Sequence, residues 1–343
     1  MKKFIKFICL ISIFSVLLLA LVACNEEGEE SGDFSFYMTS DGTYTLSSYV
    51  GDGEEVVVPE TYNGSAVTGI GYAAFRNNET VKKISLPSGV TKIAISAFEA
   101  CANLTEVAVP DGVTAIGDYA FRNCALLAAI KIPNGIESIG VSVFSGCRSL
   151  SSVTIPGGVE EIGSDMFSNC NNLTEIKITS GVSRIGDSAF SFCRSLTDLV
   201  IESGITYIGK SAFAGCTKLV NITLSDTIKE IDESAFSGCV KLKNITIPTN
   251  LENISSSVFN GCSSLTKIVI PNGITAIGSS AFANCSALAD VTIPNSMESI
   301  GSSAFSGCTS LANISIPSNV KEIENSAFFG CESLTEIFIP DGV

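Results

Sequence analysis

Phenylalanine recurs every 23 residues in this chain, twelve times without a slip, from Phe75 through Phe98 and Phe121 to Phe328. A fixed period of that length specifies a solenoid, in which each unit buries its apolar face only against its neighbours. The same regularity limits function, because stacked near-identical units present a long surface rather than one deep pocket.

Residues 121–143 illustrate the unit. Phe121 is followed by Cys124, Leu127, Ile130, Ile132, Pro133, Ile136, Ile139, Gly140 and Val143. The Ile-x-Ile pair alternates as a strand does and stops at Pro, which has no amide to give to a ladder. One such short strand per unit, always in the same sense, predicts a parallel sheet about 55–60 Å long at ~4.8 Å per strand. The other half of the unit predicts a short α or 3₁₀ turn, with Asp187 or Ser188 as the cap in the unit that leads to Phe190. The residue before Cys is Gly or Asn in most units, the types that enter left-handed backbone at least cost. Roughly seven apolar side chains per unit point inward, each worth ~1.5–3 kcal/mol when fully buried. Ordering costs ~1–2 kcal/mol per residue in the backbone alone, so a single unit does not fold without neighbours.

This pattern resembles the BspA-type leucine-rich repeat, a 23-residue subclass found in bacterial surface proteins, over Val56 to Val343. Where commoner leucine-rich repeats carry Asn or Cys just beyond the strand, this chain reads Pro-x-x-Val. The resemblance implies a non-catalytic surface protein that acts in adhesion to host matrix or in coaggregation.

The two ends of the chain read differently. Lys2, Lys3 and Lys6 precede an apolar run from Phe7 to Val22, the order of a signal peptide over residues 1–23. Cys24, placed directly after Leu-Val-Ala, resembles the diacylated cysteine of a bacterial lipoprotein. Two acyl chains on Cys24 give the stable membrane anchoring that one chain does not. Cleavage there removes three of the 20 basic residues and no acidic one, leaving 17 against 35, or −18. That balance argues against nucleic acid and against adhesion to anionic lipid. Residues 24–33 read as an acidic tether, either a solvated linker or a stretch resembling a surface-export signal. Residues 34–55 then predict a β-hairpin turning at Asp41-Gly42, which caps the open edge of the first unit. The first unit is longer than the others by an insertion around Tyr62-Asn63-Gly64. The last residue, Val343, falls inside a unit with no polar cap after it, which leads us to expect a truncated sequence.

Thirteen cysteines in an exported chain would ordinarily suggest disulfides. Eleven of them, Cys101 to Cys331, stand three residues after the repeat phenylalanine and so form one column. Their Cβ vectors run parallel and their number is odd, which favours buried thiols over bridges. The chain has no His, which excludes His-based triads and zinc sites, and it has no C-x-x-C pair. Carboxylate pairs such as Glu54-Glu55 and Glu160-Glu161 fall on outward positions, where acids serve solubility. No catalytic residue, metal site or cofactor is expected.

The expected contact surface is the sheet face. Its outward column includes Lys131, Thr154, Lys177, Val200, Thr223 and Thr246, small side chains with few aromatic anchors. A purely solvated face carrying Thr for strand propensity is the alternative. In the middle of the array Thr179, Glu202 and Ser225 replace Pro, leaving amides that lengthen the strands or change curvature. Phe192 stands there in the left-handed position, where a bulky residue is strained, so that turn is expected to rebuild, and Phe192 is counted with Lys177 and Val200 in the candidate binding face. The sequence thus predicts an exported, lipid-anchored solenoid that binds a protein or glycan on a host or neighbouring bacterial surface. A structural spacer supporting another domain is the alternative, and an enzyme a distant third.

Overall fold

The computed structural model describes residues 29–343 other than Ser203, so the expected signal peptide and Cys24 lie outside the described residues. The chain winds into a coil of repeating turns, each stacked on the last. Every turn has an Ile-x-Ile side, a second short-strand side and a phenylalanine side.

The N-terminal cap is built from β1 (Glu29–Ser31), β2 (Phe34–Met38), β3 (Tyr44–Tyr49), β4 (Glu55–Val57), β5 (Thr61–Tyr62) and β6 (Ser65–Ile70). The expected hairpin is β2 and β3, antiparallel and closed at Gly42 with φ +82°. The end of the expected tether differs from the reading above. Glu29–Ser31 is a strand that pairs antiparallel with β2 and covers the edge which β2 would otherwise leave open. The insertion in the first unit is itself a hairpin, β5 with β6. It turns at Asn63 and Gly64, whose φ values of +46° and +79° suit a two-residue turn between twisted strands.

The cap works by imitating a repeat. β3 runs parallel to β6, with Leu46 opposite Ile70. Tyr49 donates its amide to Ala74 O at 2.9 Å, and its ring lies 5.2 Å from Phe75. Phe98 in a regular unit makes the same amide bond to Ala120 O, at 2.8 Å. The array therefore begins on an aromatic ring already in place.

Parallel Ile-x-Ile strands form in most turns, as in Lys83–Ser85 beside Glu106–Ala108, but the expected strands at Ile130–Ile132, Ile245–Ile247, Ile314–Ile316 and Ile337–Ile339 do not form. Each turn also contributes a second, two-residue strand where the sequence reads x-Ile, most often before Gly. The ladder from β6 through Lys92–Ile93 and Ala115–Ile116 to Ser138–Ile139 is made of these. Two further ladders of this kind continue it, over 161–231 and 253–323. Where Pro is replaced, Glu175–Ile178, Asp198–Ile201 and Asn221–Leu224 span four residues each, against three for Lys267–Val269 and Asp290–Thr292. Ser152–Ile155, which ends at Pro156, also reaches four where it pairs with Glu175–Ile178, so the missing Pro is not the sole cause of length. Thr179 supplies the freed amide, which donates to Ile155 O at 3.1 Å.

The phenylalanine side is a series of turns, with no helix among the described residues. Its amides alternate. Ser96, Phe98 and Ala100 donate forward to Asp118, Ala120 and Arg122, while Ala97, Glu99 and Cys101 close three-residue-back turns on Ala94, Ser96 and Phe98. This alternation requires two left-handed residues per turn. One is the residue before Cys, as expected. The other stands two residues before Phe and has φ between +53° and +60° in all twelve units, nine times as Ser. Ser188 is therefore a left-handed residue of the turn, not a helix cap. Asp187 bridges units, its Oδ1 accepting the amide of Lys210 at 2.9 Å.

Inside the coil the phenylalanine rings form one stack. From Phe75 to Phe328 their centroids are 5.0–5.8 Å apart and their planes within 20° of parallel. That is the offset stacking which aromatic quadrupoles favour. The eleven cysteines are free and buried beside the stack. Each thiol donates to the carbonyl of the preceding unit's phenylalanine, as Cys124 Sγ does to Phe98 O at 3.1 Å. The small, weakly polar thiol fills the column and uses a lone pair that the turn leaves over.

Two outcomes test this core. Phe213 touches rings on both sides, so Phe213→Ala should lower stability by about 3–5 kcal/mol in chemical denaturation. Burial pushes the Cys216 thiol up to about 12 and raises the others of the column as well. A raised thiol pKa contributes stability that is complete below the unfolded value near 9.0 and is lost as pH rises toward 12. Unfolding free energy should thus fall above about pH 9, and iodoacetamide at that pH should alkylate Cys124 to Cys308 only after denaturant is added.

Candidate binding faces

The six expected strand-face residues, Lys131, Thr154, Lys177, Val200, Thr223 and Thr246, are exposed and occupy equivalent positions in successive turns. The register places Thr154 beside Lys177 and Val200 beside Thr223. The structure thereby brings this column together. Its chemistry is uneven. Lys131 is held by Asp111 at 2.6 Å, whereas Val200 leaves 59% of its surface in solvent. Two positions earlier in each strand, Asn221 donates to Asp198 Oδ1 at 2.8 Å. That bond holds the Asp198 carboxyl below its ordinary value, with Thr197 adding to the effect. Towards the last turns the face forms an open groove of about 590 Å³, lined by Asp290, Asn313, Ser315, Glu336 and Phe338 among others.

Phe192 does not belong to this column. It lies on the phenylalanine-side turn, across the corner formed by the cysteines, and its turn is not rebuilt. Phe192 keeps φ +58°, and its amide donates to Ala214 O at 2.7 Å as the regular pattern requires. The reason is the next unit. A Cβ on Gly215 would stand 2.5 Å from Phe192 Cδ1, so the ring rests on backbone that only glycine leaves bare. The left-handed conformation costs ~1–2 kcal/mol for a residue with Cβ, and the ladder bond and ring contact offset it. The ring remains 42% exposed, with the Arg194 guanidinium 5.6 Å from its centroid.

The corner that carries Arg194 was not legible as a surface in the linear sequence. It comprises the residues from just after each repeat phenylalanine to the one that follows the Leu after Cys. Arg148, Arg194, Lys218, Lys241 and Lys243 lie on it and are exposed. Aligning the chain by turns instead of reading it along its length reveals that segregation.

Other polar clusters are internally satisfied. Arg184 lies 4.0 Å over the Tyr207 ring, and Tyr207 donates to Asp232 Oδ2 at 3.2 Å. Burial, then the Asp232 charge, pushes that phenol up to about 12. Glu99 is shared by Arg76 at 3.1 Å and Arg122 at 3.8 Å. The carboxylate pairs stay outward, with Glu54 on Lys82 at 2.7 Å and Glu161 on Arg184 at 3.9 Å. Among the described residues no group of three His, Cys, Asp or Glu is placed to hold a metal ion, and no helix is long and apolar enough to cross a membrane.

Comparison with known proteins decides the family. The BspA type leucine-rich repeat region matches residues 68–197, 183–309 and 275–343. The chain belongs to the BspA-type leucine-rich repeat family. It is similar to a leucine-rich repeat protein from Bacteroides ovatus, at 31% identity over 92% of this chain and 89% of that one, with a TM-score of 0.78. A leucine-rich cell surface protein from Faecalibacterium prausnitzii is 28% identical over 89% of this chain and 96% of its own, with a TM-score of 0.53. The pneumococcal vaccine antigen PcpA, 19% identical over 92% of this chain and 82% of its own, shares the fold at a TM-score of 0.57. No curated protein matches the chain.

Gly215 gives this region a direct test. Gly215→Ala places a Cβ against the Phe192 ring at a φ of +70°. It should cost about 1–2 kcal/mol in denaturation, and less in a Phe192→Gly background, the difference measuring the ring contact.

Proposed function

We propose that this protein is a surface-displayed, lipid-anchored binding protein without catalytic activity, whose repeat surface contacts a protein or glycan on a host or neighbouring bacterial cell. The observation that carries this reading is the exposed column from Lys131 to Thr246, repeated turn after turn on a core that has no other use for it. Such a surface offers many weak, equivalent contacts, and repeated contacts raise avidity without any single strong site. Membership of a family with a cell-surface relative supports the location. The Cys24 motif supports the anchor, and the excess of acids keeps the array soluble and away from anionic lipid. Enclosed concavity of the kind that houses most substrate chemistry is not a feature of the strand face, where the groove at Asp290 and Phe338 is open to solvent.

The mature ectodomain, immobilised and exposed to host matrix proteins and bacterial surface extracts, should retain a partner at micromolar concentration. Retention of nothing would favour a spacer that supports another domain. The anchor is tested separately. Cys24→Ser should move the protein from the membrane to the soluble fraction, and a membrane-impermeant reagent should label the parent protein on intact cells.

A further inference from the structure

The chain carries 35 acids against 20 bases, yet its cysteine corner is basic in the middle of the array. Residues 145–151, 168–174, 191–197, 214–220 and 237–243 contain no Asp or Glu and five cations, Arg148, Arg194, Lys218, Lys241 and Lys243. None of the five forms an ion pair among the described residues, whereas nine other Lys and Arg do. Free surface cations in a strongly acidic chain lose the stabilisation that nearby carboxylates offer. Their segregation onto one corner is therefore unexplained by folding. At physiological salt, fields are screened within about 8 Å, so a ligand lying on this corner meets the local cations and not the net charge.

Two further features share the corner with these cations. Phe192 holds an exposed ring in a left-handed conformation that its equivalents meet mostly with Gly or Asn, and the ring stands beside the Arg194 guanidinium. Phe192 is the one bulky side chain that the twelve units place at this left-handed position, and an exposed aromatic kept there is a pointer to use. Asn171 occupies the position between Arg148 and Arg194, and its Oδ1 is buried without a hydrogen-bond donor. Turns here follow one another at phenylalanine steps of 5.3–5.5 Å, so Arg148, Asn171 and Arg194, each directly after its cysteine, form one column, and Lys218 and Lys241, one residue further on, continue beside it.

We propose that this corner, from Arg148 to Lys243, is a subsite for an acidic glycan bearing carboxylate or sulfate groups. The inference rests on the binding role proposed above and names the ligand chemistry and the place. Arg148 and Arg194 present planar forks suited to carboxylate or sulfate. Phe192 offers a flat apolar face for the C–H side of a sugar ring. Asn171 and the neighbouring Ser149, Asn172 and Thr217 supply hydroxyl partners. Nucleic acid fits less well, since a single exposed aromatic does not make the succession of stacking platforms that bases require.

The test is equilibrium binding of the whole mature protein to chondroitin sulfate, with dextran and a DNA duplex as comparisons. Chondroitin sulfate should bind, weaken as salt rises, and bind at least tenfold more weakly to the Arg148→Ala/Arg194→Ala variant. Phe192→Gly should weaken binding several-fold without changing the salt dependence, and both variants should keep the parent's circular dichroism. Equal binding to dextran or to DNA, or an unaltered affinity in the double arginine variant, would overturn the proposal. A Lys177→Ala/Val200→Thr variant separates the two readings. If it alone loses the partner captured from host or bacterial material, the binding role stands and the glycan corner falls. If the parent protein retains no partner of any kind, both fall.

Discussion

The repeat phenylalanines of this protein stack ring on ring, so that each interior ring is covered by a neighbour on either side within a core of Ile, Leu, Val and Cys. The rest of the structure follows from that stacking. Parallel planes at 5.0–5.8 Å fix the rise of the coil, and every backbone ladder must conform to it. To bring ring over ring, the phenylalanine side adopts turns with two left-handed residues, a conformation with a cost that forward amide bonds offset in every unit. The thiols belong to the same arrangement, since each donates to a phenylalanine carbonyl. The cap obeys it too, offering Tyr49 as the first ring.

Specific chemistry is confined to positions that the stack does not use. The strand-face column and the cysteine corner can vary because neither carries the core. They vary in different ways. The strand face holds short polar side chains with an occasional bare valine, whereas the corner concentrates unpaired cations around one strained aromatic. Two surfaces of unlike character on one coil allow contacts with two kinds of partner.

Much of this was legible in the sequence. The 23-residue period gave the coil, the Ile-x-Ile alternation gave one ladder in most turns, and the loss of Pro at Thr179, Glu202 and Ser225 foretold three of its four longest strands. The columnar spacing of the cysteines identified them as core. The second ladder escaped notice because two residues per turn are too few to display alternation. The second left-handed column escaped because it is occupied by Ser, which carries no such signature; stacking, not residue preference, imposes that backbone. Phe192 was assigned to the right stretch of chain but the wrong surface, since closeness in sequence to Val200 hides the corner between them. Its turn was expected to rebuild because the allowance made by Gly215 lies in the next unit, 23 positions on. The basic corner is sparse along the chain and dense only once the turns are superimposed.

The backbone bonds between turns run in two directions. On the phenylalanine side the amides point to the following turn, as Phe98 does to Ala120, and on the short-strand side they point back, as Gly117 does to Ile93. Every interior junction thus presents the same donors and acceptors to whichever turn comes next. A whole turn can be duplicated or excised without leaving an orphaned group, so this architecture can change its reach by recombination between repeats. Residue substitution then tunes the chemistry of the two faces, while copy number sets the length of the array.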